Sequence, residues 1–395
     1  MSSAMSGLDA LARAAEVARA ERPTVPLAIA TLVAVDGSSY RQPGARLLVD
    51  AEGRVLAGAI SGGCLEGDVA AHAAAVCATG IPRRLTYDLG DDLQAIWGFG
   101  AMCNGIAHLL LEPLGDGAWL ADAHHLREAR GTGTLLTVLH EGPSGGTRLL
   151  PAAERLPDTL VDATAEGIDR SAPNELIRAA HATMRPVLGT VPLATGPTEC
   201  LLEPVVPPVS LVLVGATRGA EAFATIACAL GWRVTVIDHR EAILAALDVP
   251  DAVARIVGHA ETALAQVTRD QRTAVALLTH QFALDQGWLA ALLPLPIAYV
   301  GVLGSRQRAR QLVEALANAG LVLSDAQHRR LHAPIGLDLG GESPESIALA
   351  AIAEIEAVLH GRPGGSLRDR HSPIHARTPT PAPMEPAATP TDTRR

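Results

Sequence analysis

The feature that most constrains the fold of this 395-residue chain is a strand, a glycine turn, a helix and a second strand in close succession. An apolar run at 209–214 leads into Gly215-Ala-Thr-Arg-Gly219, and a helix is predicted over 220–230. A second apolar run at 232–237 ends at Asp238. This order is typical of a βαβ dinucleotide-binding unit, whose terminal acid accepts a hydrogen bond from a ribose hydroxyl. The pattern predicts a doubly wound parallel α/β sheet with Asp238 at a ligand site.

The glycine turn departs from the usual fingerprint at one position. The pattern Gly-x-Gly-x-x-Gly/Ala reads here as Gly215-x-Thr217-x-x-Ala220, so the residue that lets the backbone approach a pyrophosphate is not glycine. The Thr217 hydroxyl and the Arg218 guanidinium can instead bind a phosphate, or the turn has kept only its packing role. Both readings stay open, and the candidate ligand-binding residues of this turn are Gly215, Thr217, Arg218 and Gly219.

Further strands are predicted at 273–278 and 297–302, each followed by a polar loop, and a last helix is predicted from Pro344 to His360. In a doubly wound sheet such loops meet at the edge where ligands bind. The same residues have simpler explanations, because a histidine can cap a strand and an aspartate can cap a turn. The candidate residues of these loops are His280, Ser305, Arg306 and Asp338.

The N-terminal region predicts a first helix over 7–20, a buried strand at 27–35, a hairpin at 47–49 and 55–60, and a helix at 65–79. Between hairpin and helix lies a cysteine flanked by glycines, in Ser61-Gly-Gly-Cys-Leu-Glu66. The glycines leave the thiol unobstructed, and a helix start favours a thiolate that can bind a soft metal. The alternative is a small buried hydrophobic residue.

The candidates around this thiol include basic residues from an upstream loop. Arg41 and Arg46, with Glu66, can form an anion pocket close to Cys64, or these three residues can form surface ion pairs of little energetic value. The candidate residues of this region are Arg41, Arg46, Ser61, Gly62, Gly63, Cys64 and Glu66, with Cys64 as a metal contact.

Composition excludes several classes of protein. The five cysteines contain no Cys-x-x-Cys pair, which argues against a disulfide framework or a structural zinc site. A net charge of −10 without a basic stripe argues against nucleic acid as a partner. No apolar run approaches the roughly 20 residues that span a bilayer, and the N-terminus lacks a signal-peptide pattern. We therefore expect a cytoplasmic protein without a membrane span.

Three ordered motifs lie in the N-terminal region and three in the C-terminal region. The N-terminal motifs are Gly37-Ser-Ser-Tyr-Arg-Gln-Pro-Gly-Ala-Arg46, Ser61-Gly-Gly-Cys-Leu-Glu66 and Trp97-Gly-Phe-Gly-Ala-Met-Cys-Asn-Gly105. The C-terminal motifs are Thr279-His280, Gly304-Ser-Arg306 and Pro334-Ile-Gly-Leu-Asp338. Together these motifs resemble those of the XdhC/CoxI family. Cys103, in the third motif, is a further candidate, although its spacing differs slightly from that usual in the family.

The resemblance implies a fold and a function. It implies a mixed α/β N-terminal XdhC/CoxI domain at 1–114 and a Rossmann-like domain at 209–360, with the rest of the first domain and a connector at 115–208. Residues 361–395, rich in proline, are predicted to be a disordered tail.

The resemblance also implies an accessory factor that binds molybdenum cofactor, as molybdopterin or its dinucleotide form. Such a factor supports sulfuration of the cofactor and its insertion into a molybdenum hydroxylase of the xanthine dehydrogenase or CO dehydrogenase type. The Rossmann-like domain would hold the phosphorylated end and the Cys64 domain would approach the metal. The implied partners are the apo hydroxylase, a cysteine desulfurase or sulfurtransferase, and a second copy in a homodimer. The chain would be a cofactor chaperone more than a catalyst.

Two other functions remain open from the sequence. One is an NAD(P)-dependent oxidoreductase that uses the glycine turn and Asp238. Against it, the chain has three tyrosines, Tyr40, Tyr87 and Tyr299, none in a Tyr-x-x-x-Lys pattern. The other is a scaffold protein that keeps the Rossmann fold without a ligand, which Thr217 makes harder to dismiss.

Overall fold

The structure, a computed structural model, describes residues 7–37, 40–88, 105–151, 172–193 and 196–371. Its helices are α1 (Gly7–Glu21), α2 (Glu66–Ala71), α3 (Ala73–Thr79), α4 (Ala118–Glu128), α5 (Ala172–Thr183), α6 (Arg218–Ala229), α7 (Glu241–Ala245), α8 (Ala260–Ala263), α9 (Phe282–Leu292), α10 (Arg306–Asn318), α11 (Asp325–Arg330) and α12 (Pro344–Leu359). Its strands are β1 (Leu27–Gly37), β2 (Arg46–Asp50), β3 (Val55–Gly58), β4 (Arg83–Asp88), β5 (Gly105–Pro113), β6 (Gly133–Val138), β7 (Gly146–Pro151), β8 (Val187–Leu193), β9 (Gly196–Val205), β10 (Ser210–Val214), β11 (Arg233–Asp238), β12 (Ala254–Val257), β13 (Thr273–Leu277), β14 (Tyr299–Val302) and β15 (Leu331–His332).

The described residues divide into two compact units. One unit contains the chain from Val206 onwards, together with short segments that end at Asp9 and at Arg130. The other contains Ala10–Leu126 and Gly131–Val205. The predicted boundaries at 114, 208 and 360 remain predictions. In the predicted connector, the structure has strands β6 to β9 and two helices, α4 and α5.

The unit that contains Cys64 is built on two antiparallel sheets. The first has the strand order β3-β2-β1-β5-β4, and the second has the order β7-β6-β9-β8. Residues of β1 and β5 alternate between two apolar clusters, as expected for strands buried on both faces. One cluster joins the first sheet to α2 and α3, and the other contains Val33 and Leu110 from the first sheet with Leu188 and Leu201 from the second.

Two buried glutamates link these sheets. Each lies in a Leu-Leu-Glu-Pro sequence, which occurs at 110–113 and again at 201–204. Glu112 in β5 accepts the Thr147 backbone N–H at 2.7 Å and the Thr147 hydroxyl at 2.5 Å. Burial raises the pKa of Glu112, although the hydrogen bonds from Thr147 oppose that effect. Glu203, in β9 of the second sheet, forms an ion pair with Arg46, in β2 of the first sheet. Both carboxylate oxygens take part, and the distance from Arg46 Nη1 to Glu203 Oε1 is 3.0 Å. Each sheet therefore supplies a carboxylate to the other.

The other unit is a doubly wound sheet of parallel strands in the order β12-β11-β10-β13-β14-β15. Its order reverses between β10 and β13, which marks the topological switch point where this class of sheet binds ligands. Side chains of α6 and α12 pack on one face, and those of α9 and α10 pack on the other. The α/β fold with a Rossmann-like parallel sheet is confirmed.

One local prediction needs correction. The helix predicted at 65–79 is broken at His72, whose backbone N–H bonds to Val69 with the shorter spacing of a 3₁₀ turn, and whose side chain bonds to the Asp68 carbonyl. The disordered tail at 361–395 stays a prediction: residues 361–371 are described and contain a short turn at Leu367–Asp369, and 372–395 lie outside the described residues. Within the described ranges, no helix has the length and apolar character needed to cross a membrane.

Candidate functional site

A cavity of about 220 Å³ opens at the carboxyl edge of the parallel sheet, at the switch point. It lies between the loops that follow β10, β11, β12 and β13. Because these strands are parallel, their carboxyl ends place residues distant in sequence at one edge. The residues that line the cavity are Val214, Gly215, Ala216, Thr217, Ile237, Asp238, His239, Arg240, Ile243, Gly258, His259, Thr279, His280, Gln281, Leu284 and Trp288.

The turn after β10 forms one wall and requires glycine at its first position. Gly215 has φ of +108°, and a Cβ built there would lie 3.1 Å from the Thr279 backbone nitrogen. The left-handed backbone and the close approach both exclude larger residues. Thr217 caps α6, since its hydroxyl accepts the Ala220 N–H at 3.3 Å. The sequence predicted this turn, and Gly215 and Thr217 do line the cavity.

Asp238, predicted to accept a hydrogen bond from a ribose, has several partners within the protein. Its side chain is 2% exposed, and its carboxylate accepts the Ala216 N–H at 2.7 Å. The Arg240 guanidinium binds both oxygens, at 2.9 and 2.8 Å, and the Arg240 N–H is a further donor. Burial disfavours the charged form, but these hydrogen bonds prevail and lower the pKa of Asp238 to about 2. The carboxylate thus holds the glycine turn and Arg240 in place.

Three histidines line the same cavity. His239 and His259 stack with ring centroids 4.9 Å apart and planes inclined by 20°, and His280 follows β13. The adjacent Thr279 donates its hydroxyl to the buried carboxylate of Asp285 at 2.5 Å. Asp285 in turn binds the Arg308 guanidinium at 2.6 Å. The loop after β13 is therefore held through the Thr279 hydroxyl.

Several predicted site residues of this unit lie elsewhere. Arg218 and Gly219 are in the first turn of α6, and Ser305 caps α10 by accepting the Arg308 N–H at 3.2 Å. Arg306 and Asp338 are exposed. Among the residues that the structure describes, none of these five lines the cavity, and Arg306 borders a separate surface depression beside α10.

In the other unit, the Cys64 loop is a compact turn organised by two polar side chains. The Ser61 hydroxyl accepts the N–H groups of Gly63, Cys64 and Leu65 at 3.0 to 3.1 Å. Glu66 accepts the Ile60 and Ser61 N–H groups and the Ser61 hydroxyl.

These contacts determine what the loop presents to solvent. Burial disfavours the Glu66 carboxylate, but the hydrogen bonds outweigh it and lower the pKa of Glu66. Gly63 has φ of +108°, a conformation suited to glycine, and a Cβ at Gly62 or Gly63 would meet no atom within 4 Å. The Cys64 thiol is exposed, so the backbone is held while the sulfur stays accessible.

The basic residues predicted beside Cys64 have separate surroundings. Arg41 is exposed and lies 5.6 Å over the Tyr40 ring. Arg46 is 3% exposed and is ion-paired with Glu203, so its charge is already engaged. Cys103 lies outside the described residues.

The sequence reasoning did not select His239, Arg240 and His259 as site residues. His239 and Arg240 directly follow Asp238, so their place at a strand end was a usable signal. His259 follows β12, a four-residue strand that is mostly exposed. The sequence of β12 has no apolar pattern from which a strand could be predicted.

Comparison with known proteins extends over most of the chain. Residues 211–355 match the XdhC Rossmann domain, and residues 20–88 match the XdhC and CoxI family. A relative from Bacillus subtilis, described as a probable subunit of xanthine dehydrogenase, is 28% identical over 329 residues, which are 83% of this chain and 91% of the relative. The Escherichia coli "Molybdenum cofactor insertion chaperone PaoD" is 25% identical over 84% of this chain and 83% of its own length.

A solved structure has the same overall fold. A crystal structure described as a xanthine dehydrogenase from Bacillus halodurans is 27% identical, with a TM-score of 0.68. The alignment covers 93% of this chain and 98% of the crystallised one. The matched regions contain the Cys64 loop and the cavity-lining edge of the parallel sheet, and together they establish that this chain belongs to the XdhC and CoxI family.

Proposed function

We propose that this protein binds molybdenum cofactor as its cargo and takes part in the maturation of a molybdenum hydroxylase. The observation that carries the proposal is the cavity at the switch point, where a glycine turn, a helix N-terminus, the Arg240 guanidinium and three imidazoles converge on a space suited to a phosphate-bearing ligand. The similarity to a molybdenum cofactor insertion chaperone along most of both chains supports the choice of cargo.

The parallel-sheet unit is proposed to hold the phosphorylated end of the cofactor. The N-terminus of α6 and the Arg240 guanidinium favour an anion, while Ile243, Leu284 and Trp288 give the cavity an apolar wall. An apolar cavity with a few placed polar groups is the usual form of a small-molecule site. This arrangement fits a ligand with a flat ring system and a phosphate.

The Cys64 loop is proposed to provide a soft ligand for the metal. Thiolates bind soft metals and take part in sulfur transfer, and this thiol is exposed on a backbone held by Ser61 and Glu66. A sulfur-donating cysteine desulfurase and the apo hydroxylase are the proposed partners. A homodimer in the cytoplasm is the proposed working form.

An NAD(P)-dependent oxidoreductase is the second candidate, favoured by the strand order of the parallel sheet. The structure offers it less support than the sequence did. The Asp238 carboxylate, which would bind the ribose, already accepts bonds from Ala216 and Arg240. The scaffold alternative predicts that no ligand binds in the cavity.

The test is anaerobic incubation with purified molybdenum cofactor, gel filtration, and measurement of retained molybdenum. Gln281→Glu places a negative charge on the cavity wall and should weaken retention about tenfold, the effect of roughly 1 to 2 kcal/mol of repulsion. Gln266→Glu adds the same charge at an exposed position of the same unit and should retain the cofactor normally. Cys64→Ala tests the metal contact separately.

Each outcome has a distinct meaning. Retention by the wild type and by Gln266→Glu, with loss in Gln281→Glu, supports the cargo proposal. Unchanged retention in Cys64→Ala refutes the thiol contact and leaves the cargo proposal standing. Tight binding of NAD(H) without any molybdenum retention refutes the cargo proposal in favour of the oxidoreductase.

A further inference from the structure

The stacked pair His239 and His259 is the part of the cavity that a dinucleotide-binding fingerprint does not explain. The two imidazoles come from the ends of neighbouring strands, β11 and β12, and their ring centroids are 4.9 Å apart. Both rings line the cavity. Two stacked imidazoles repel each other if both are protonated, unless an anion lies against them.

The charges around this pair determine which ligand suits it. Asp238 is the one carboxylate that lines the cavity among the described residues. Its charge is balanced by the Arg240 guanidinium, with contacts of 2.8 and 2.9 Å. His239 Nδ1 lies 3.5 Å from the same carboxylate. The cavity edge therefore has no net negative charge to repel an anion, and protonation of a histidine makes it cationic.

The ionisable groups of the cavity come from three loops. The loop after β11 supplies Asp238, His239 and Arg240, that after β12 supplies His259, and that after β13 supplies His280. In the described structure, Glu241 of α7 and Glu261 of α8 do not line the cavity. Above pH 5, Asp238 stays ionised because its pKa is about 2 and Arg240 keeps its charge, so neither of these groups makes anion binding in the cavity depend on pH.

We propose that His239 and His259 form an anion subsite that accepts a doubly negative phosphate group and takes up protons from solution as that group binds. This inference rests on the proposed cargo-binding role of the cavity, and it names the end of the cavity where the phosphate lies and how its affinity is regulated. Proton uptake places cationic imidazoles against the dianion, so affinity rises as pH falls. Because Asp238 is engaged by Arg240, this end of the cavity recognises a phosphate in preference to a ribose diol.

Sulfate is the sharpest probe, since its charge stays at −2 between pH 6 and 8 and any pH dependence must come from the protein. Calorimetric titration at constant ionic strength should show sulfate affinity about tenfold higher, or more, at pH 6.0 than at pH 8.0 for each imidazole that is protonated. Titrations in buffers of different ionisation enthalpy count the protons taken up.

Variants assign the effect to the pair. His239→Gln and His259→Gln keep polar side chains but cannot be protonated, and each should flatten the pH dependence by about tenfold. His328→Gln, at an exposed position of α11, is the matched control and should behave as the wild type. Chemical shifts of the imidazole protons in wild-type protein, followed with and without sulfate, report the same protonation without relying on variants.

The outcomes separate this inference from the proposed function. Sulfate affinity that does not change with pH, or an absence of sulfate binding at millimolar concentration, overturns the inference. Undiminished molybdenum retention in both histidine variants also overturns it, while the cargo proposal stands. Acid-enhanced sulfate binding without molybdenum retention by the wild type supports the anion subsite and refutes the cargo proposal.

Discussion

Replacing Glu203 by Gln should be one of the most destabilising single changes in the unit that contains Cys64. The side chains of Arg46 and Glu203 are 3% and 10% exposed, and Arg46 Nε is buried without a hydrogen-bond partner. The change leaves the Arg46 charge buried and unpaired, and such a loss costs about 3 to 5 kcal/mol of unfolding free energy. For a unit of this size the melting temperature should fall by roughly 6 to 20 °C.

Urea unfolding followed by circular dichroism measures this effect, with separate fits if the two units unfold in separate transitions. Glu52→Gln removes the partner of Arg22 at the surface of the same unit and should change stability little. The double variant Arg46→Met, Glu203→Gln removes the unpaired charge of Arg46, so it should be more stable than Glu203→Gln alone. If Glu203→Gln is as mild as Glu52→Gln and the double variant is simply additive, the reasoning is refuted, because the guanidinium must then be solvated.

Three other predictions concern the candidate sites. Glu66→Gln should lower the unfolding free energy by about 1 to 2 kcal/mol, measured in urea at pH 7. Because the folded pKa of Glu66 is lowered, the difference from wild type should be complete above the ordinary pKa range of a glutamate and should disappear as the pH falls through that lowered pKa; a difference that persists in stronger acid would count against this explanation. The carboxylate of Asp238, with a pKa of about 2, should contribute stability above about pH 4 that is lost between pH 4 and 2; Asp238→Asn should abolish that part of the pH profile, and an unchanged profile would contradict it. Alkylation mapped by mass spectrometry should modify exposed Cys64 first and Cys200 about a thousandfold more slowly, because burial raises the pKa of Cys200 to about 12; equal rates would show that Cys200 is accessible in solution.

The sequence was most informative about sites whose residues lie close together along the chain. The succession of strand, Gly215 turn, helix and strand was readable because each element is short-range, and it located the edge of the sheet that carries the cavity. The Ser61 to Glu66 turn was readable for the same reason, since every hydrogen bond within it joins residues at most six apart.

The parts that escaped prediction depend on contacts between distant residues. Arg46 was assigned to an anion pocket because it is close to Cys64 in sequence, but its partner Glu203 is 157 residues away. The stacking of His239 on His259 likewise requires the pairing of β11 with β12, which no periodicity in those short strands reveals. Asp238 was predicted as a cavity residue, but its contacts with the Arg240 side chain were not.

The exchange of carboxylates between the two antiparallel sheets has a consequence for how this unit folds. Glu112 finds its donors on β7 and Glu203 finds its cation on β2, so neither sheet can satisfy its own buried acid. A folding intermediate with one sheet formed would lack the partner that its acid has in the native unit, and it would expose the apolar residues that the two sheets bury against each other, among them Leu110 and Leu201. The two sheets should therefore form and open together as a single cooperative unit, and hydrogen exchange of β5 and β9 should follow one common opening free energy.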